Sequence, residues 1–111
     1  MGEKRSKAVR DRLEEGLTET LDELERLEQK LQVEVEYNLG EGDPIIYERE
    51  INMALRRRAR RKVRSLQEAL KRFDEGTYGI CEVCDRNISA QRLEALPQAR
   101  LCIDCAQKAD R

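Results

Sequence analysis

Four cysteines are the residues of this chain best equipped for chemistry, and they come as two pairs, Cys81-x-x-Cys84 and Cys102-x-x-Cys105, with seventeen residues between them. Each pair makes a tight knuckle that turns two sulfurs toward one point, so two knuckles complete a tetrahedron. A four-thiolate set suits one Zn²⁺, which has no ligand-field preference and accepts closed four-coordinate sites. Iron in a rubredoxin-like site and a redox dithiol are the rival readings. A redox dithiol wants a low-pKa thiolate beside a cation and no second pair filling the metal sphere. Structural zinc is the favoured reading, because a closed set leaves no position for a catalytic water.

The chain contains no histidine. That removes the commonest acid–base catalyst and the Cys–His nucleophile, so the sequence points away from an enzyme.

What must position the cysteines is helical. Of the 111 residues 41% are charged and only 4% are aromatic, a balance that indicates long helices or coiled coil when it is periodic. Leu17, Leu24 and Leu31 recur every seven residues, with Leu13 and Leu27 at complementary positions, Leu21 widening the apolar face, and Thr20 and Glu34 interrupting it. Further on, Ile51, Leu55, Ala59, Val63, Leu66, Leu70 and Phe73 form one stripe on a 3.6-residue helix. Between them YNLGEGDP breaks and restarts helices, since Gly40 and Gly42 can end one and Asp43-Pro44 supplies an N-cap and a first helical residue. The expected fold is therefore mainly α. A long antiparallel two-helix coiled-coil hairpin spans residues 1–73, with its tip at about 37–46, and a small four-cysteine zinc-finger module spans 74–111. Within that module ISAQRLEALP reads as a short helix with Ser89 as N-cap and Pro97 just past its end, and Gly76 and Gly79 fit a turn into the first knuckle. Metal should supply much of its folding energy, because so short a segment buries little apolar surface.

A net charge of −1 hides segregation: residues 14–36 carry nine acidic and two basic groups, and residues 51–72 carry nine basic and one acidic. Seven of the nine residues in RRRARRKVR (56–64) are basic. Two readings compete. The acidic helix neutralises the run across the hairpin, or the run, with Arg57, Arg58 and Arg61 foremost, meets an anionic partner surface. No aromatic residue interleaves with the arginines, which argues against stacking on single-stranded bases.

No apolar run approaches the ~20 residues that span a bilayer, and MGEKRSKAVRDR has no apolar segment and so does not read as a secretory signal. The expected setting is the reducing cytoplasm, without membrane attachment. Met1-Gly2 with Ser6, and Asn87-Ile88-Ser89, match myristoylation and glycosylation patterns too short to carry weight.

GTYGICEVCDRNISAQRLEALPQARLCIDC (residues 76–105) resembles the zinc-finger signature of the DksA/TraR family of bacterial transcription factors. Arg92-Leu93-Glu94-Ala95-x-Pro97 and Leu101-Cys102-Ile103-x-Cys105 make the resemblance specific, and YEREINMAL (47–55) is similar to shorter members. The resemblance implies a monomeric regulator that binds RNA polymerase rather than promoter DNA. The coiled coil would enter the secondary channel, the zinc module would rest on the channel rim, and acidic tip residues would act near the active centre. Asp43 falls where the family places its first tip aspartate, and Glu41 offers a second carboxylate, whereas Ile46 and Glu48 replace the family's other tip residues. Asp43 also reads as a helix N-cap. The family's ppGpp-contacting cations fall on Ser65, Leu96 and Ala106, none of which pairs with a pyrophosphate. The alternative is a DNA-reading finger with GATA-like cysteine spacing. It would want a basic tail, whereas AQKADR after Cys105 carries only +1.

Overall fold

Leu, Glu, Lys, Arg and Gln dominate both long segments and are strong helix formers. In the computed structural model, which describes residues 3–36 and 44–110, they form α1 (Glu3–Glu36) and α2 (Pro44–Glu75), followed by α3 (Ala90–Ala95) and α4 (Ile103–Ala109). The two long helices pack together as the sequence predicts. Proline is the first residue of α2, where its missing N–H costs nothing and its fixed φ suits a helix. No helix among the described residues is long and apolar enough to cross a membrane.

The chain divides into two compact units, Met1–Gly16 with Ser65–Arg111, and Leu17–Arg64. In the first, Leu13, Leu66, Ala69, Cys81 and Ile88 are buried together with the ends of α1 and α2. Arg10 of α1 reaches Asp74 of α2 through two guanidinium nitrogens at 3.2 and 3.3 Å and also pairs with Glu14. The Asp74 hydrogen bond, ahead of the two carboxylate charges, raises the Arg10 pKa above its ordinary value. In the second unit Leu31, Ala59 and Val63 are buried, α1 and α2 run in opposite directions, and Arg49 donates to the Leu31 carbonyl at 3.0 Å.

The apolar stripe of α2 is kept from Ala59 to Leu70 and fails toward its start. Ile51 is 46% exposed and Leu55 39%, while Asn52 takes the buried position. Likewise Thr20, an interruption of the apolar face by its residue type, is buried, and Leu21, which by type belongs to that face, is exposed. The side chains that face the partner helix are set by local packing, and a period-seven count drifts ~20° per heptad against a straight 3.6-residue helix.

Helix α2 ends where its sequence supplies a cap. Gly76 stands at φ +81° and donates to the Phe73 carbonyl at 3.2 Å, and Thr77 donates to the Arg72 carbonyl at 2.9 Å. These are the two bonds of a Schellman cap, which satisfies carbonyls the helix leaves unpaired. Phe73 and Tyr78 then meet edge to face with centroids 5.7 Å apart.

Gly16, by contrast, lies inside α1, and a Cβ there would sit 3.6 Å from Leu66 Cδ2, an ordinary contact. Two glycine substitutions should therefore act with opposite signs in urea denaturation. Gly16→Ala should stabilise by about 0.5–1 kcal/mol through helix propensity. Gly76→Ala, with open space around it but a left-handed backbone, should destabilise by about 1–2 kcal/mol.

Candidate metal centre

The first knuckle is a miniature hairpin. Gly79 accepts from Ile88 N at 2.7 Å, Ile80 bridges Asn87, and the Cys81 amide donates to the Arg86 carbonyl at 2.8 Å. Asp85 closes the turn at φ +62°, a conformation that Asp adopts more readily than most side chains. Its amide donates to the Cys81 carbonyl at 3.0 Å.

The second knuckle is a helix start. Cys102 is the N-cap of α4, its sulfur accepting from Cys105 N at 3.5 Å, and its carbonyl accepts from Ala106 N at 2.9 Å. A thiolate at a helix N-terminus sits where unpaired N–H groups favour negative charge. Residue spacing marks Cys102 as a ligand candidate but does not mark it as a cap. The polar Cys-Ile-Asp-Cys start is the signal that could have done so.

Between the knuckles, α3 has Ser89 as its N-cap as expected, with the hydroxyl accepting from Arg92 N at 3.1 Å. Arg92 Nε donates to the Leu101 carbonyl at 3.0 Å, holding the second knuckle's approach. The Tyr78 hydroxyl donates to the Pro97 carbonyl at 2.8 Å, and burial raises the Tyr78 pKa. Glu82 N donates to the Arg100 carbonyl at 3.0 Å while the Glu82 carboxylate meets Arg72 at 3.5 Å and Arg100 at 3.2 Å. Arg12 of α1 donates to the Glu94 carbonyl at 2.8 Å. Arg12, Tyr78 and Arg92 do not stand out as supports in the sequence, since each acts through a carbonyl that has no signature in residue type.

These elements bring Cys81, Cys84, Cys102 and Cys105 together with all four sulfurs within 4.8 Å of one another. Cys84 Sγ and Cys102 Sγ are 3.7 Å apart. A tetrahedral zinc with Zn–S bonds of ~2.3 Å sets its sulfurs ~3.8 Å apart, so the separation fits the metal. Cys81 is fully buried and Cys84 is exposed. Hydrogen bonds from the backbone amides of Cys84 and then Cys102 pull the Cys81 thiol down to about 6, while its hydrogen bond to Cys102 and then burial push Cys105 up to about 12. Four thiolates crowded this closely repel one another, and a dication removes that repulsion.

The other sequence-selected residues are not part of this centre. Arg57, Arg58 and Arg61 lie exposed on α2. Among the described residues, Arg60, with Glu28 at 3.0 Å, is the one member of the 56–64 run in an ion pair. The α1 carboxylates from Asp11 to Glu28 lie exposed to water. The tip candidates Glu41 and Asp43 lie outside the described residues.

Residues 76–111 match the family described as the prokaryotic dksA/traR C4-type zinc finger. The chain is 33% identical over 100 residues to the RNA polymerase-binding transcription factor DksA of Escherichia coli, covering 88% of this chain and 66% of that protein. It is 48% identical over 60 residues to the uncharacterized protein YteA of Bacillus subtilis, which is 54% of this chain and 25% of YteA. The chain thus spans a quarter of YteA and about two thirds of DksA. The structure of transcription factor DksA2 from Pseudomonas aeruginosa superposes with a TM-score of 0.81 at 26% identity, covering 97% of this chain and 84% of that one. The fold and the cysteine site define a helical protein with a C4-type zinc finger, and the cofactor is one zinc ion. The chain belongs to the DksA/TraR family, whose DksA members are transcription factors.

Zinc binding needs thiolates, so uptake by the metal-free chain should release protons. Cys81, held down at about 6, should release little further proton at pH 7, whereas Cys105, pushed up to about 12, should give one up on binding at pH 7 and still at pH 9. Affinity should accordingly fall as pH falls. Calorimetry in buffers of different ionisation enthalpy counts the protons, and the absence of release at pH 9 would contradict the arrangement. Cys105→Ser should weaken zinc binding by more than ~100-fold, beyond what loss of an outer partner costs.

Proposed function

We propose that this chain is a cytoplasmic, non-enzymatic regulator of transcription that binds RNA polymerase as a monomer. The observation that carries the reading is the alignment of 88% of the chain with RNA polymerase-binding DksA together with the four-sulfur centre. Zinc held by Cys81, Cys84, Cys102 and Cys105 keeps residues 74–111 folded as a docking module for the rim of the polymerase secondary channel. The coiled coil enters the channel, and Glu41 and Asp43 at its tip act near the active centre. A carboxylate there could take a place in the coordination of a catalytic Mg²⁺ or disturb a loop that closes on substrate.

Attachment draws on the basic face of α2. Arg57, Arg58 and Arg61 are exposed and, among the described residues, have no carboxylate within 4.0 Å, which leaves three permanent cations for an acidic surface. Direct ppGpp dependence is not part of this proposal, because Ser65, Leu96 and Ala106 carry no cation at the positions where the family's ppGpp contacts align. The GATA-like alternative gains no support, since the module bears seven acidic groups against five basic ones.

Affinity for purified polymerase should fall steeply between 0.1 and 1 M salt, as the Debye length shrinks from ~10 to ~3 Å. The double reversal Arg57→Glu with Arg61→Glu should weaken binding at least ~10-fold, which is ~1.4 kcal/mol, while leaving the helical circular dichroism unchanged. Insensitivity to both would make the basic run structural only. Binding and activity should also separate. Asp43→Asn removes the charge and substitutes a residue type that serves an N-cap position equally well, so it should bind polymerase normally and lose most of its effect on transcription in vitro. Full activity in that variant would remove the Asp43 charge from the proposed action.

A further inference from the structure

Helix α2 turns apolar side chains outward near its start, within the Leu17–Arg64 unit. Tyr47 is 71% exposed, and Ile51 and Leu55 are exposed with it although their spacing fits the apolar stripe. At about 100° per residue, Tyr47, Ile51 and Leu55 fall in one sector ~80° wide. Arg58 and Lys62 fall in the same sector, about one and two turns beyond Leu55. Neither cation has an ion-pair partner among the described residues. Arg57, Arg60, Arg61 and Arg64 lie on a different side of the helix, around an open hollow with Leu24 and Val63. A water-exposed apolar stripe at helical spacing is the pattern of a docking surface.

We propose that this stripe pairs with its own counterpart on a second copy of the chain, in an antiparallel two-fold dimer. The order of charge along the sequence selects that partner. Residues 41–50 carry four acidic groups and one basic, residues 51–55 carry none, and residues 56–64 carry seven basic and no acidic. A parallel pair would set the basic run beside itself, whereas an antiparallel pair sets it toward the acidic stretch. A two-fold interface needs one self-complementary patch, and an apolar middle between ends of opposite charge is such a patch. With Ile51 on the axis, Tyr47 of each copy faces Leu55 of the other. Arg58 then stands three residues, ~4.5 Å along the helix, from the level of the second copy's Tyr47, so its guanidinium can lie on that ring. The second copy's Glu48 is ~6 Å along the helix from the same arginine. Glu48 takes Lys30 at 2.8 Å and keeps a half-exposed side chain. Three apolar side chains per copy fall well short of the ~800 Å² per partner of a standard interface. The dimer is therefore weak and reversible, with a Kd on the order of 0.1 mM. It also regulates the function proposed above, a step that rests on that reading: paired copies cover the start of α2, so polymerase draws on the monomer alone.

The test is sedimentation equilibrium of the zinc-loaded full chain from ~10 µM to ~1 mM, a range that brackets this Kd. A reversible monomer–dimer equilibrium is expected, and it should weaken as salt rises from ~0.05 to ~0.5 M and screens the charges. Ile51→Lys sets two cations against each other on the axis and should weaken pairing at least tenfold. Leu21→Lys, at a similarly exposed leucine on α1, should leave pairing within twofold. Unchanged circular dichroism and zinc content in both variants keep the comparison clean. With Tyr47 replaced by p-benzoylphenylalanine, irradiation should cross-link position 47 to residues 54–58 of the second copy. Cross-links from position 47 to position 47, equal losses in the two lysine variants, or pairing that strengthens with salt would each overturn the proposal. A monomer at every concentration would overturn it too, leaving the stripe to a different protein or, if anionic vesicles retain the chain, to a lipid surface. Polymerase binding is measured separately, so a chain that binds polymerase and never pairs refutes the dimer and leaves the proposed function standing.

Discussion

Four sulfurs held within 4.8 Å of one another are the constraint on which the smaller structured elements of this protein depend. Thiolates at that separation are mutually repulsive, while backbone amides hold the Cys81 thiol down at about 6 and a hydrogen bond to Cys102, with burial, pushes Cys105 up to about 12. One dication resolves the repulsion. The segment around the site has little else to fold on, since among its described residues only Cys81 and Ile88 are buried apolar side chains. Its helices have six and seven residues, too short to persist in water without tertiary support. Hydrogen bonds from Arg92 to Leu101 and from Tyr78 to Pro97 orient the approach to the knuckles, but they presuppose that the knuckles have formed.

The long helices obey a different rule. Their charge is segregated between the two helical segments, and among the described residues few of the pairs that segregation invites are made. Exposed ion pairs contribute little because long side chains lose entropy and water screens the charges. The helices are held instead by the buried apolar contacts of Leu31, Ala59 and Val63 in one unit and of Leu13, Leu66 and Ala69 in the other. Charge is thereby left over for binding. A basic face that spent its arginines on α1 would have nothing to offer a partner, and a surface with one pair at Arg60 keeps most of its field.

Much of the metal site is legible in residue type and spacing. Two Cys-x-x-Cys pairs without histidine admit few metal sites, and the spacing of the pairs leaves room for the short α3, whose cap at Ser89 follows from residue type alone. The turn at Gly76 is equally readable, because only glycine takes that left-handed position at no steric cost. The long helices, the caps and the choice of metal ligands are specified locally, by propensity, residue type and ligand spacing.

Tertiary structure decided what local rules cannot. Whether Ile51 or Asn52 is buried depends on where α1 lies, and a shift of one residue on a helix is a turn of ~100°. Arg12 became a support of α3 because a carbonyl of Glu94 came within 2.8 Å of it, a contact 82 positions apart in the chain. The same holds for the arginine run. Sequence states that seven cations are adjacent; only the packing of α1 beside α2 sorts them into a paired Arg60, a groove with Arg57, Arg61 and Arg64, and an opposite face with Arg58 and Lys62. Residue type carries charge and backbone preference with it, while burial and pairing belong to the neighbours that folding supplies.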